Sequence, residues 1–367
     1  MEEIKLQEKY MKRAFSLAKK GAGKVSPNPL VGAVIVKNGR IIAEGYHKGP
    51  GTPHAEIVAL NIAGKEAEGS DLYVNLEPCA HYGRTPPCVD AVIESKIKRV
   101  FISNEDPNPL VNGKSIKKLI ENNIQVFTGI LEEDGSYLNE IFFKFIKMGI
   151  PFIALKSAAS LDGKIATSTG ESKWITGNKA REDSQKLRNR YDGILTGINT
   201  IIEDNPMLTC RLKGGRNPVR IVLDSKLRIS PEAQILNMND SAEKTIIITT
   251  RQAEENKIVV IRKKAKVFII ENESIDINQV LKLLSSLKIT SILVEGGAKI
   301  HGSFIGNNLP DKYYLYYAPI LIGGKEAPGF FGGEGFKSLA DTPKLNIHNI
   351  KSLGKDVRVT LYPEQRR

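Results

Sequence analysis

The chain opens on an amphipathic stretch, EKYMKRAFSLAKK (8–20), whose apolar positions recur at helical spacing, and then enters an apolar run, LVGAVIVKNG (30–39). Helical and strand-like patterns alternate from there, through HAEIVALNIAG (54–64), DLYVNLEP (71–78), CVDAVIESKI (88–97) and KRVFISNEDP (98–107). Such alternation predicts an α/β layer structure. Within VGAVIVKNGRIIAEGYH (31–47) an Asn-Gly pair separates two apolar runs, which predicts a hairpin and therefore a mixed sheet. Near residues 147–151 a helical pattern passes through Gly149 and Pro151 into a new strand, which places a domain boundary there. The expected domains are 1–148 and 149–367. The second alternates again, from PFIALKSAAS (151–160) through PVRIVLDS (218–225), KTIIITT (244–250), INQVLKLLSSLKI (277–289) and TSILVEGG (290–297) to KYYLYYAPIL (312–321) and VRVTLYP (357–363).

Two domains also follow from the length of 367 residues, beyond the size at which one core stops growing. A composition 41% hydrophobic and 26% charged excludes disorder and a disulfide scaffold. No stretch reaches a membrane span and the N-terminus lacks a secretory apolar core, so the expected location is cytoplasmic. Three cysteines, Cys79, Cys88 and Cys210, read as reduced thiols or metal ligands. The formal charge of +12 is uneven: residues 1–150 carry 20 Lys+Arg against 18 Asp+Glu, and residues 151–367 carry 33 against 23. Without a Lys/Arg block in the second half, a pocket for phosphorylated small molecules or a solvated face accounts for it better than nucleic acid.

The candidate chemistry of the first half lies in three segments: Pro53-His54-Ala55-Glu56, Pro78-Cys79 and Pro87-Cys88. One imidazole and two thiolates suit Zn²⁺, and three protein ligands leave a tetrahedral ion one open position, as a catalytic site requires. His54 and Cys88 both fall at predicted helix starts, where thiolate is favoured over thiol. Glu56, two positions after His54, is placed beside the metal as a proton shuttle. His-x-Glu followed by Pro-Cys is the pattern of zinc nucleobase deaminases, whereas the second cysteine stands nine residues after the first rather than three.

With Ser26-Pro27-Asn28-Pro29-Leu30-Val31-Gly32 and Pro-Cys-Ala-His-Tyr-Gly-Arg-Thr-Pro-Pro-Cys (78–88), the sequence resembles the bifunctional riboflavin-biosynthesis deaminase/reductase family over nearly the whole chain. That resemblance implies a cytidine-deaminase-like αβα domain that removes an amino group from a diamino-ribosylamino-pyrimidinone 5′-phosphate. It assigns His54, Cys79 and Cys88 to zinc, Glu56 to proton transfer, and Asn28, His47, His81 and Arg84 to the substrate.

In the second half, Thr290 to Phe304 reads as a buried strand, a glycine turn and a helix, a place where phosphate can meet free N–H groups, though no GxGxxG is present. The resemblance continues through Ser160-Leu161-Asp162-Gly163-Lys164, Glu171 to Thr176, Asp204 to Thr209 and Val-Glu-Gly-Gly (294–297), and implies a dihydrofolate-reductase-like domain that uses NADPH to reduce the ribosyl group to a ribityl chain. Carried over, Ala158, Trp174, Thr200, Asp204, Ser225 and Gly297, Ala298, Lys299, Ile300, His301, Gly302 and Ser303 line the cofactor site. Ser172, Arg188, Leu208, Arg211 and Glu295 hold the substrate, with the two arginines on its phosphate. Cys210 reads as a thiol outside any metal site. The expected partners are a phosphorylated pyrimidine and further copies of the chain, with neither nucleic acid nor membrane. The competing readings are a nucleobase or tRNA deaminase with an accessory domain and a zinc-stabilised nucleic-acid-binding protein.

Overall fold

The computed structural model describes residues 2–80, 86–109 and 111–364, and the chain divides into two compact units, Met1–Gly149 and Ile150–Arg367. In the first, α1 (Glu2–Ala18) precedes the hairpin β1 (Gly32–Lys37) and β2 (Arg40–Tyr46), followed by α2 (Ala55–Ala63), β3 (Asp71–Leu76), α3 (Cys88–Glu94) and β4 (Arg99–Asn104). It closes with α4 (Lys114–Glu121), β5 (Gln125–Phe127), α5 (Glu132–Leu138) and α6 (Glu140–Met148). The hairpin turns at Asn38 and Gly39, both with positive φ, as a two-residue Asn-Gly turn demands.

The sheet order is β2-β1-β3-β4-β5, with β2-β1-β3 antiparallel and β3-β4-β5 parallel, so the sheet is mixed as expected. Side chains alternate across each strand: Ala33, Ile35, Leu72 and Val74 pack with Ala59 of α2 and Val89 and Val92 of α3, whereas Val34, Val36 and Tyr73 pack with Met11, Ala14 and Phe15 of α1. Both faces are covered, which makes the unit a three-layer αβα sandwich. Gly45 lets α2 approach β2 closely, because a Cβ there would lie 2.2 Å from the Ala55 carbonyl oxygen. The start of α2, and with it His54, therefore sits directly on the sheet.

The second unit begins with β6 (Phe152–Ser160), α7 (Asn178–Arg190), β7 (Gly193–Gly197), α8 (Ile198–Asp204) and β8 (Val219–Leu223). It continues with α9 (Ser241–Lys244), β9 (Thr245–Thr250), α10 (Glu255–Arg262), β10 (Lys266–Ile270), α11 (Ile277–Ser286), β11 (Ser291–Val294) and α12 (Ala298–Gly306). The last elements are β12 (Lys312–Ala318), β13 (Leu345–Leu353) and β14 (Asp356–Pro363). The nine-stranded order is β10-β9-β8-β7-β11-β6-β12-β14-β13, parallel except at β14 and β13. Ile221, Leu223, Ile246 and Ile248 face one core and Val222 and Ile247 the other, so this sheet too is buried on both sides. The parallel strands β8, β7, β11 and β6 are neighbours, and their carboxyl ends share one edge, where open α/β sheets bind ligands. No described helix is long and apolar enough to cross a membrane.

Candidate active sites

In the first unit His54 caps the start of α2, Cys88 opens α3, and Cys79 follows the end of β3. His54 Nδ1 lies 3.1 Å from Cys88 Sγ and 3.6 Å from Cys79 Sγ, and all three ligand atoms fall within 4.8 Å of one another. A tetrahedral zinc with bonds of about 2.0–2.3 Å requires nitrogen–sulfur separations of roughly 3.5 Å, so the donor set fits the ion. The backbone N–H of Cys88 donates to Cys79 Sγ at 3.2 Å, an orienting contact of the kind ligating sulfurs receive. A hydrogen bond with Cys88 and another with His54 hold the Cys79 thiol well below the usual range, while its bond to Cys79 and burial push Cys88 up. His54 is raised by its hydrogen bond to Cys79.

Glu56 stands in the first turn of α2, 3% exposed, and its Oε2 has no partner among the described residues. Burial, then the Cys79 charge, pushes its carboxyl up to about 7. His47 is buried with its ring edge-on to His54, centroids 5.3 Å apart, and burial lowers its pKa. Its Nδ1 faces the Pro53 carbonyl at 3.3 Å and its Nε2 meets the Asn28 amide at 3.0 Å, so Nδ1–H donates to Pro53 and Nε2 accepts from Asn28. Asn28, His47, His54, Glu56, Cys79 and Cys88 thus converge; His81 and Arg84 lie outside the described residues.

Three polar residues absent from the sequence reading support this site. Glu77, buried and two positions before Cys79, accepts from the backbone N–H of Asp106, Gly113 and Ser115 and from Ser115 Oγ, tying the end of β3 to the start of α4. Asn75 and Asn139 are the others, and both grip the chain just after Asn28.

In the second unit Glu295 follows β11, its side chain 11% exposed, and receives Arg188 Nε and Nη2 at 3.0 and 2.9 Å, with Lys156 Nζ at 3.8 Å. Burial alone would raise its carboxyl, but the charges of Arg188 and Lys156 and the Arg188 hydrogen bonds outweigh it and bring it down to about 2. Burial lowers the Lys156 ammonium. Lys156 was not singled out from the sequence; a lysine inside the apolar strand PFIALKSAAS was the available signal, since buried lysines are almost always paired. Arg188 also donates to the Thr209 carbonyl at 3.1 Å, next to the buried Leu208, and Arg211 N donates to Gln185 at 3.0 Å. Ala158 lies on β6, Thr200 and Asp204 on α8, Ser225 just past β8, and Asp204 pairs with Lys173 at 2.8 Å, beside the exposed Trp174. Ser172 lies in the same loop.

Gly297 caps the nine-residue α12 and has no atom within 4 Å of where a Cβ would stand, so space is open over the helix start. The first-turn N–H groups of Ala298 and Lys299 have no intrahelical acceptor there, which fits an anionic cofactor phosphate. Ile300 and His301 instead send their N–H groups to the Gly297 carbonyl. Ile300 packs on Gly197, and the fully buried His301 ring faces the Phe330 and Val294 carbonyls, so their side chains brace the turn. Gly302 is needed for close approach, a Cβ there meeting the Gly332 carbonyl oxygen at 1.9 Å. Ser303 is spent on the Lys299 carbonyl. Cys210 Sγ contacts the Gln185 carbonyl and is no part of the metal cluster.

These two sites define a zinc deaminase of the cytidine-deaminase type joined to a dihydrofolate-reductase-like NADPH reductase. Two family models agree, the cytidine and deoxycytidylate deaminase zinc-binding region over residues 4–104 and the RibD C-terminal domain over residues 151–359. Riboflavin biosynthesis protein RibD of Bacillus amyloliquefaciens is 47% identical over 98% of this chain and 97% of its own, and that of Escherichia coli is 39% identical over 95% and 97%. The solved structure of Acinetobacter baumannii RibD matches at a TM-score of 0.89 with 36% identity, covering 99% of this chain and 100% of that one. A Thermotoga maritima diaminohydroxyphosphoribosylaminopyrimidine deaminase/5-amino-6-(5-phosphoribosylamino)uracil reductase matches at 0.87, with 38% identity and 98% and 99% coverage. The chain belongs to the RibD family of riboflavin biosynthesis proteins, bifunctional enzymes with deaminase and reductase domains. A nucleic-acid deaminase or binding protein is not favoured, since the second domain is a RibD reductase.

Proposed function

We propose that residues 1–148 deaminate 2,5-diamino-6-ribosylamino-4(3H)-pyrimidinone 5′-phosphate and that residues 149–367 reduce the product's ribosyl group to a ribityl chain. The observation that carries this reading is the His54, Cys79 and Cys88 cluster with the buried Glu56 beside it, its Oε2 without a partner among the described residues. A zinc ion held by those three residues supplies a Lewis acid that makes water nucleophilic at neutral pH. Glu56 Oε2 accepts one proton of the attacking water and passes it to the ring nitrogen, then takes the second from the new C–OH group and gives it to the amine, which leaves as ammonia while the carbonyl forms. Asn28 orients the ring edge, itself held by the neutral His47. His81 and Arg84 act as further substrate contacts, Arg84 on the phosphate, as the family resemblance implies.

In the reductase, NADPH supplies the hydride to the sugar C1′. The Gly297 turn with Ala298 and Lys299 binds its phosphate, and Ala158, Trp174, Thr200, Asp204 and Ser225 complete the cofactor site. Ile300, His301, Gly302 and Ser303 serve that site by shaping the helix. Ser172, Leu208 and Arg211 hold the substrate, with Arg211 toward its phosphate. Arg188, already engaged by Glu295, orients that carboxylate, and the ionised Glu295 accepts a hydrogen bond from the opened sugar while Lys156 is the nearby proton source.

The basic excess of the second half serves these polyanionic ligands rather than nucleic acid. We further assign the enzyme to the cytoplasm, consistent with three cysteines outside any disulfide, and to a homo-oligomeric state, which sedimentation measures directly. The test of the reaction follows ammonia release and NADPH oxidation in parallel, in metal-replete and chelator-stripped protein. NADPH loss only after ammonia, and only with metal, supports the reading; ammonia without NADPH loss overturns the reductase assignment.

A further inference from the structure

Asn28 sits between two prolines, Pro27 and Pro29, and neither can donate a backbone hydrogen bond. The segment that carries it therefore cannot lie in the sheet as an ordinary strand, although β1 begins only four residues later at Gly32. Two carboxamides stand where a neighbouring strand would. Asn75, fully buried and just past Val74, whose partner in β1 is Ala33, accepts from Gly32 N–H at 2.7 Å and donates to the Leu30 carbonyl at 2.8 Å. Asn139, also buried, comes from the junction of α5 and α6, 109 residues away, and accepts from Leu30 N–H at 2.8 Å while donating to the same carbonyl at 3.0 Å. A carboxamide offers the same acceptor and donor as a peptide group, so the two side chains replace the missing ladder. Between them they hold both backbone groups of Leu30, two residues from Asn28, and His47 N–H closes the arrangement on the Val31 carbonyl at 2.9 Å.

We propose that Asn75 and Asn139 are positioning residues for pyrimidine recognition, clamping the 28–32 segment so that the Asn28 amide is presented beside the metal cluster at a fixed height and angle. This rests on the reading of Asn28 as a ring contact. The clamp joins three separate parts of the unit: β3, which leads to Cys79; the α5–α6 junction; and the proline-flanked turn. Neither amide touches the metal ligands. Their contribution is to binding and orientation of the ring, which loads on KM more than on kcat when Asn28 contacts substrate and transition state alike.

The test compares Asn139→Ala with Asn28→Ala in full-length, zinc-loaded protein, reading deaminase KM and kcat by ammonia release. Zinc content and NADPH oxidation on pre-deaminated substrate are measured on the same samples. Both variants are expected to raise the deaminase KM about 10-fold with kcat changed far less, zinc retained and the reductase untouched. If Asn139→Ala sheds zinc, Asn139→Asp carries the test, because it keeps the acceptor for Leu30 N–H and sets a carboxylate against the Leu30 carbonyl; the same rise in KM is expected. A normal KM in the Asn139 variant alongside a raised KM in Asn28→Ala would show the clamp to be structural only and overturn the proposal. A normal KM in Asn28→Ala would remove the substrate contact itself and overturn the reading beneath it.

Discussion

Glu56, buried in the first unit, and Glu295, largely covered in the second, are carboxylates driven in opposite directions. Among the described residues no cationic side chain forms a salt bridge with Glu56, and burial with the Cys79 charge outweighs the opposing charge of His54 and lifts it to about 7. Glu295 is gripped by Arg188 and faced by Lys156, and falls to about 2. Burial raises both carboxyls, and the cationic partners of Glu295 outweigh it: the first is poised to take and return a proton, and the second stays ionised and orients.

The comparison breaks most visibly at Glu56. Glu56→Gln keeps the shape and removes the shuttle, so ammonia release is expected to fall by about 10⁴-fold, with NADPH oxidation on deaminated substrate unchanged in the same assay. At the other carboxylate, Glu295→Gln leaves Arg188 and Lys156 without their counter-charge. Single-turnover NADPH oxidation is expected to slow by about 10²-fold while ammonia release persists. The environment of Cys79 gives a smaller effect: Glu77→Gln turns an NH₂ either toward the Asp106 and Gly113 N–H groups or toward the N–H and hydroxyl of Ser115, and zinc transfer to a chelator is expected to run about 10-fold faster.

The smallest effects come with pH. Because the folded pKa of Glu295 lies below its unfolded value, its stabilising contribution is complete above roughly pH 4.3 and fades as pH falls toward about 2. The reductase pH profile should accordingly show no acid limb from this group at pH 5–7, and its basic limb should begin below the ordinary lysine range as Lys156 loses its proton. An acid limb near pH 6 that disappears in Glu295→Gln would contradict the account.

The clustering of His54, Cys79 and Cys88 with Glu56 was legible in the sequence through short local patterns: a proline before each of the three, a helix start at His54 and at Cys88, and a carboxylate two residues after His54. The Asn-Gly hairpin and most central strands were legible for the same reason. Long-range partners were not. Glu77, Asn75 and Asn139 look like ordinary polar residues until the fold sets them against backbone groups up to 109 positions away. Edge strand β13 escaped because its residues are mostly exposed and carry no apolar run. Lys156 and Arg188 were similarly obscured, since only the folded sheet brings them to Glu295, and Arg188, expected on a phosphate, is found bound to that carboxylate.

The most direct test of two separate carboxylate sites gives zinc-loaded Glu56→Ala each substrate in turn and records ammonia and NADPH together. The account predicts neither signal with the diamino compound and NADPH oxidation at the unmodified enzyme's rate with the deaminated one. Loss of NADPH oxidation on the deaminated substrate, in a folded variant that retains zinc, would contradict it.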